Sequence, residues 1–271
     1  MIAEILKAIL YGIVEGVTEW LPISSTGHLI LLKALVPLNV SDGFWNLFEV
    51  VIQLGAILAV ILLFWGKLWP FGGGKSVTQK RYTWQLWFHV AVGVLPTVVF
   101  GLTLNDLLPD SPMVVAAMLI LYGAAFLLVE RRGKKPTVRR TEQISYRTAL
   151  FIGLFQVLSM VPGTSRSGVT ILGAMLLGLS RTAASEFSFF LAIPTMAGAS
   201  LLKTVKFVSG GLSMTSTEVW VLIVGCLAAF LVSLAAIRGL MQYVKKHSFS
   251  AFGIYRIALG VVVLVYGLLA K

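Results

Sequence analysis

Charged side chains are scarce in this chain. Asp, Glu, Lys and Arg make up 12% of its 271 residues, about half the roughly 25% of a soluble domain. Hydrophobic residues reach 58% and the mean hydropathy is +0.91. A soluble fold would need one large core with almost no polar surface, so the composition points to a polytopic membrane protein. Acids are scarcer still: 11 Asp and Glu stand against 22 Lys and Arg, a net charge of +11. In a soluble chain that excess would suggest nucleic acid. Here the basic residues cluster between apolar runs, as the positive-inside rule requires, and no nucleic-acid partner is expected. Cysteine is nearly absent. Cys226 stands alone in an apolar run, which rules out an intramolecular disulfide and a cysteine metal site. Glu4, Glu15 and Glu19 interrupt the first apolar stretch and no small-residue cleavage site follows, so a cleavable signal peptide is not expected.

A helix needs about 20 apolar residues to cross the hydrocarbon. Six stretches qualify, roughly 46–66, 85–105, 113–130, 183–205, 219–238 and 250–270. Two others do not. Residues 2–20 and 26–38 flank one polar interruption, and 147–160 and 168–179 flank another. Each reads as two short helices joined by a loop, the pattern of a re-entrant hairpin, which is tolerated only where protein or a wet cavity surrounds it. The loops 66–84, 130–147 and 238–247 are basic and predict a cytoplasmic face. Those around Asp42, and around Asp106 and Asp110, are acidic and predict an external one, with 206–218 external by alternation. Trp45, Trp65, Trp69, Trp84, Trp87 and Trp220 suit interfacial belts.

Six crossings fit these loops only if both hairpins return to the side they entered, the first from outside and the second from the cytoplasm. Both termini then lie outside. The expected fold is an all-α polytopic membrane protein with six transmembrane helices, two re-entrant helical hairpins and an inverted-topology repeat. It forms one integral membrane domain, with repeat one about 1–130 and repeat two about 147–271. Such repeats place a site at their interface near midplane. A shift of 141 residues pairs Gly12 with Gly153, Glu15 with Gln156, Ser24 with Ser165 and Gly27 with Gly168.

The two interruptions hold the chemistry. Glu15 and Glu19 are four apart, hence on one helix face. Acids at membrane depth cost at least about 2.5–3.5 kcal/mol on insertion scales and are functional candidates by default. Two neighbouring carboxylates repel unless a proton or cation lies between them. Oxygen ligands point to a divalent cation, Mg²⁺ or Ca²⁺; the plainer reading is two solvated interfacial acids. Pro22 is expected to end the first short helix, and Ser25 or Thr26 to cap the second. Ser24, Ser25 and Thr26 beside His28 offer a nucleophile with a proton shuttle. Arg166, between Ser165 and Ser167 at the start of a helix, offers a guanidinium and helix amides to an anion, with Thr170 as a further donor. Its plainer reading is a structural ion pair with Glu15 or Glu19. Phosphate is the simplest ligand that needs both halves, and in a membrane it would arrive on a phosphorylated lipid.

Elsewhere, Glu49 and Gln53 share a face that could line the cavity, while Glu186 and Arg256 are expected to pair with each other. Lys203 and Lys206 can snorkel, and His89 and His247 read as bland positions near span ends.

The run Glu15-Gly-Val-Thr-Glu19-Trp-Leu-Pro-Ile-Ser-Ser25-Thr-Gly-His28 and the run Pro162-Gly-Thr-Ser-Arg166-Ser-Gly-Val-Thr170 resemble the two signature motifs of the undecaprenyl-diphosphate phosphatases, bacterial membrane enzymes also called bacitracin-resistance proteins. The similarity extends to Phe48-Glu49-Val-Val-Ile-Gln53-Leu-Gly and Ser180-Arg181-Thr-Ala-Ala-Ser-Glu186-Phe. It implies hydrolysis of undecaprenyl diphosphate to the monophosphate and inorganic phosphate, recycling the carrier for peptidoglycan synthesis. It also implies a divalent cation and a plasma-membrane site reached from the outer face. The family's acids fall on Glu15 and Glu19, its serine on Ser25, its histidine on His28 and its arginine on Arg166.

Ser25, His28 itself or a metal-bound water could each attack, with Glu19 or His28 handling the proton. Ser24, Thr26, Ser165, Ser167, Thr170 and Arg166 are the expected phosphate ligands. Expected partners are the polyprenyl diphosphate and membrane lipids. Oligomeric state stays open, a homodimer being one option. The rival reading is an inverted-repeat transporter or flippase for an anionic lipid, and a purely structural subunit leaves both interruptions unexplained.

Overall fold

The computed structural model describes residues 1–104 and 111–269. The chain is helical throughout: α1 (Ile2–Thr18), α2 (Ser25–Leu35), α3 (Asp42–Leu63), the single turn α4 (Trp65–Leu68), α5 (Val77–Leu104), α6 (Pro112–Arg131), α7 (Tyr146–Val157), α8 (Arg166–Leu176), α9 (Arg181–Ser209), α10 (Ser216–Tyr243) and α11 (Ser250–Leu269). Six of these, α3, α5, α6, α9, α10 and α11, are long and apolar enough to cross a membrane, and they match the six expected spans. Their true starts lie a few residues earlier for α3, α5 and α10, because capping rather than hydropathy sets a helix end. Ser41, Ser111, Ser180 and Thr215 each accept a first-turn amide. Asp106 and Asp110, which helped orient the loops, lie outside the described residues.

The short helices pair as α1 with α2 and α7 with α8. The pairs match in backbone detail. Ser24 and Ser165, one shift of 141 apart, are the N-caps of α2 and α8 and the non-glycine residues with positive φ among those described, at 72° and 68°. Left-handed backbone is uncommon outside glycine. Gly12 in α1 and Gly153 in α7, another shifted pair, each sit at a tight crossing. A Cβ on Gly12 would lie 2.5 Å from the Gly225 carbonyl of α10, and one on Gly153 would lie 2.1 Å from the Gly93 carbonyl of α5. Small residues permit such approach where hydrophobicity cannot drive helices together. Cys226 lies in the α3–α10 crossing, its carbonyl 2.0 Å from where a Gly55 Cβ would stand, a packing role as expected.

Polar contacts gather at two opposite ends. Glu218 at the start of α10 accepts from the Ser41 amide at 2.9 Å and its hydroxyl at 2.8 Å, joining it to the start of α3. At the other end Glu130 of α6 accepts from Arg181 of α9 at 2.9 Å and from the Phe249 amide before α11 at 2.8 Å. Lys67 after α3 reaches Glu186 of α9 at 2.7 Å. The segments expected on one face thus meet one another. Glu186 pairing with Lys67 also overturns the expected Glu186–Arg256 pair; Arg256 is fully buried.

Gly153→Leu should force α5 and α7 apart and lower the melting midpoint in detergent, by an overpacking cost of about 1–3 kcal/mol. Gly198→Leu, in α9 with open space around it, should leave the midpoint nearly unchanged.

Candidate active site

The bends of the two helix pairs meet. Helix α1 ends at Thr18, four residues before Pro22, so Pro22 does not terminate it; Glu19 is its C-cap. Glu19 lies against the start of α8. Its Oε1 accepts from Arg166 Nη2 at 3.1 Å and Nε at 3.3 Å, and its Oε2 accepts from Ser25 Oγ at 3.0 Å. One carboxylate therefore joins a hydroxyl from the first bend to a guanidinium from the second. Arg166 also donates to the Ser188 carbonyl at 2.9 Å and lies 5.7 Å from the Trp20 ring. Ser167 donates to the Glu19 carbonyl at 2.9 Å and lies 3.3 Å from that of Leu21. Thr170 donates to the Arg166 carbonyl at 2.8 Å and meets Ser188 Oγ at 2.6 Å. Ser167 and Thr170 thus spend their hydroxyls holding the bends, and neither presents a free donor to a ligand.

Capping distinguishes the two short helices. Ser165 accepts the Gly168 amide at 3.1 Å, so α8 is capped by its own side chain. Ser24, not Ser25 or Thr26, is the N-cap of α2, and its side chain accepts no amide. Its hydroxyl is buried without a partner. The first-turn amides of α2 therefore lack the side-chain cap that those of α8 have. Ser25 and Thr26 open onto a cleft of about 350 Å³ that is also lined by Lys33, Glu49, Gln53 and Pro162. Glu49 and Gln53 line it as expected. Arg166 and Glu19 stand behind Ser25.

His28 takes another direction. Its Nδ1 meets the Ser24 carbonyl at 2.7 Å and its Nε2 the Tyr255 hydroxyl at 2.7 Å, with the two rings stacked at 5.6 Å. It braces the Ser24 turn against α11, and Glu19 is the group that touches the Ser25 hydroxyl. Glu15, one turn before Glu19, is wholly buried, and neither carboxylate oxygen has a hydrogen-bond partner.

Arg256 of α11 is a residue that sequence reasoning misplaced. Buried completely, it donates to the carbonyls of Pro22 (3.2 Å), Gly163 (3.0 Å) and Thr164 (3.0 Å), so a single guanidinium binds both bends. Its isolation in an apolar span was the one available signal.

Residues 8–262 match the family described as bacitracin resistance protein BacA. The chain belongs to the BacA family. Undecaprenyl-diphosphatases of Streptococcus mutans, Enterococcus faecalis and Lachnoclostridium phytofermentans are 54%, 53% and 53% identical to it. The alignments cover 98%, 97% and 99% of this chain and 97%, 96% and 98% of those relatives.

The BacA-family resemblance brings a divalent cation into question. Glu19 has both oxygens engaged, whereas Glu15 offers two buried, unpartnered ones. No group of three or more His, Cys, Asp or Glu suited to a metal occurs among the described residues. Mg²⁺ needs none, since it is bound by one or two carboxylates together with substrate phosphates. The Glu15–Glu19 pair fits such an ion.

Arg256→Met should strip three buried carbonyls of their donor, at about 1–3 kcal/mol each. A large fall in the melting midpoint is expected, with Arg256→Lys intermediate because an ammonium lacks the fork of donors. A Met variant as stable as the parent would show that the bends hold without this clamp.

Proposed function

We propose that the chain hydrolyses undecaprenyl diphosphate to undecaprenyl phosphate and inorganic phosphate, returning the carrier to peptidoglycan synthesis. The name shared by relatives of near-full-length identity supports the reading. The observation that carries it is the row Ser25–Glu19–Arg166, a hydroxyl, a base and a cation joined through one carboxylate. A transporter needs an anion seat but no hydroxyl hydrogen-bonded to a buried carboxylate.

In this reading the terminal phosphate sits at the uncapped start of α2, beside Thr26 and Lys33. Ser25 Oγ attacks the terminal phosphorus as its proton passes to Glu19 Oε2. The bond from that phosphorus to the bridging oxygen breaks, and undecaprenyl phosphate leaves with the oxygen. Glu19 passes that proton to the departing monophosphate, then takes a proton from the water that attacks the phosphoserine and returns it to Ser25 Oγ as the Ser25–phosphorus bond breaks, freeing Ser25 and phosphate. Arg166 supplies fixed positive charge facing the charge that develops. Glu15 and Glu19 would hold a divalent cation, Mg²⁺ or Ca²⁺, which when bound neutralises phosphate oxygens. His28 orients the Ser24 turn.

The setting is the bacterial plasma membrane, with the cleft open to the outer side. Trp45, Glu49 and Val50 of the cleft belong to the half of α3 that starts at Asp42, the end expected outside. Helices α2, α7 and α8, of 11, 12 and 11 residues, reach roughly 16–18 Å and are too short to cross. Together with the matched caps at Ser24 and Ser165, this supports two re-entrant hairpins in an inverted repeat.

Phosphate release from a polyprenyl diphosphate in detergent is the test. Glu19→Gln should slow turnover about 10²–10⁴-fold, Ser25→Ala should abolish phosphoserine trapping, and a chelator should suppress activity until Mg²⁺ or Ca²⁺ is restored. Near-normal turnover by Ser25→Ala would sink the nucleophile assignment. In a Cys226→Ala background, Asp42→Cys should react with an impermeant thiol reagent applied outside intact cells and Lys135→Cys should not; the reverse would turn the cleft to the cytoplasm.

A further inference from the structure

A second cleft, of about 730 Å³, opens at the far end of α8 from Arg166. Helix α8 has 11 residues, which sets the two sites roughly 15 Å apart. Arg132, Lys134 and Lys135, following α6, and Lys245, following α10, line it. The acid in its wall, Glu130, is already committed to Arg181 and to the Phe249 amide. Among the described residues those four cations have no acidic partner.

The basic segment is held in place. The Thr137 and Val138 amides donate to the Gly178 carbonyl at 2.9 and 3.0 Å, and the Ser180 amide donates to that of Val138 at 2.8 Å. These bonds stitch the segment to the α8–α9 turn and make a walled cavity from what would otherwise be an open loop. Its floor is apolar, with Val129, Met175, Leu177 and Val244. The positive-inside rule accounts for basic residues at this end of the bundle. It does not account for four uncompensated cations converging over an apolar floor.

We propose that this cleft binds the phosphate-bearing headgroup of an anionic membrane lipid. The phosphate lies among Arg132, Lys134, Lys135 and Lys245, and the first acyl carbons lie against Val129, Met175 and Val244. Basic pockets between membrane helices hold phosphate headgroups in this way. The apolar floor favours a lipid over free phosphate, which would leave it uncovered. A lipid seated here steadies the end of α8 opposite Arg166.

The full-length protein in a neutral detergent would be titrated with phosphatidylglycerol carrying a fluorophore on its acyl chain. Saturable binding is expected, roughly fivefold weaker for each of Lys134→Gln, Lys135→Gln and Lys245→Gln. Lys80→Gln, a basic position outside the cleft, should leave it unchanged. Melting midpoints equal to the parent's would confirm that the variants are folded, and their phosphatase turnover in detergent should persist. Equal binding of labelled phosphatidylcholine, or equal weakening by Lys80→Gln, would overturn the site. Competition by inorganic phosphate as effective as by unlabelled phosphatidylglycerol would overturn the lipid and leave a free-anion seat.

Discussion

Backbone carbonyls that turn away from a helix at membrane depth have no water to bond, and each left unsatisfied costs several kcal/mol. Pro22, Gly163 and Thr164, at the two bends, are buried residues, and Arg256 donates to the carbonyls of all three. Everything at the candidate site follows from this one guanidinium. Because it serves both bends, it sets the distance between them, and hence between Glu19 and Arg166. Ser167, donating back to the Glu19 carbonyl, adds a second tie from the other hairpin. Among the described residues no acid neutralises Arg256; its guanidinium is met by backbone carbonyls and lies 5.8 Å from the Tyr122 ring.

The clamp places a hydroxyl, a carboxylate and a guanidinium in a row before any ligand arrives. Preorganisation of this kind is what electrostatic catalysis needs, since little must rearrange as charge develops. The capping pattern extends the logic. Serine or threonine side chains cap α3, α6, α7, α8, α9 and α10, whereas α2, which meets the cleft, has a buried N-cap whose hydroxyl accepts no amide. Its first-turn amides have no side-chain cap from Ser24. His28, held by the Ser24 carbonyl and Tyr255, keeps that unusual turn in its left-handed conformation.

Positions one shift of 141 apart differ in chemistry. Glu15 and Gln156 are both wholly buried. Gln156 donates to Thr97 and Thr195, each the residue following a proline inside a long helix, at 2.9 and 3.1 Å. It serves structure, tying α7 to the helices that Pro96 and Pro194 interrupt. Glu15 has no such partner. The proposed repeat thus uses one backbone twice, with the carboxyl copy one turn from Glu19 and the amide copy fastening the scaffold.

Six spans, two interruptions and the residues that fill them were legible in the sequence alone. Hydropathy needs only contiguous residues, and a polar run inside an apolar one has few explanations. The BacA-family motifs sharpened this to Glu15, Glu19, Ser25, His28 and Arg166, of which the fold brings Glu19, Ser25 and Arg166 into contact. Tertiary structure alone decided the rest. The pairings of Arg256 with Pro22, Tyr255 with His28 and Lys67 with Glu186 join positions more than a hundred residues apart, and no local period encodes them. Nor could spacing reveal that Thr170 and Ser167 bond backbone, or that Ser24 leaves α2 uncapped. A hydroxyl's role depends on which acceptor the packed helices place beside it, and that acceptor comes from elsewhere in the chain.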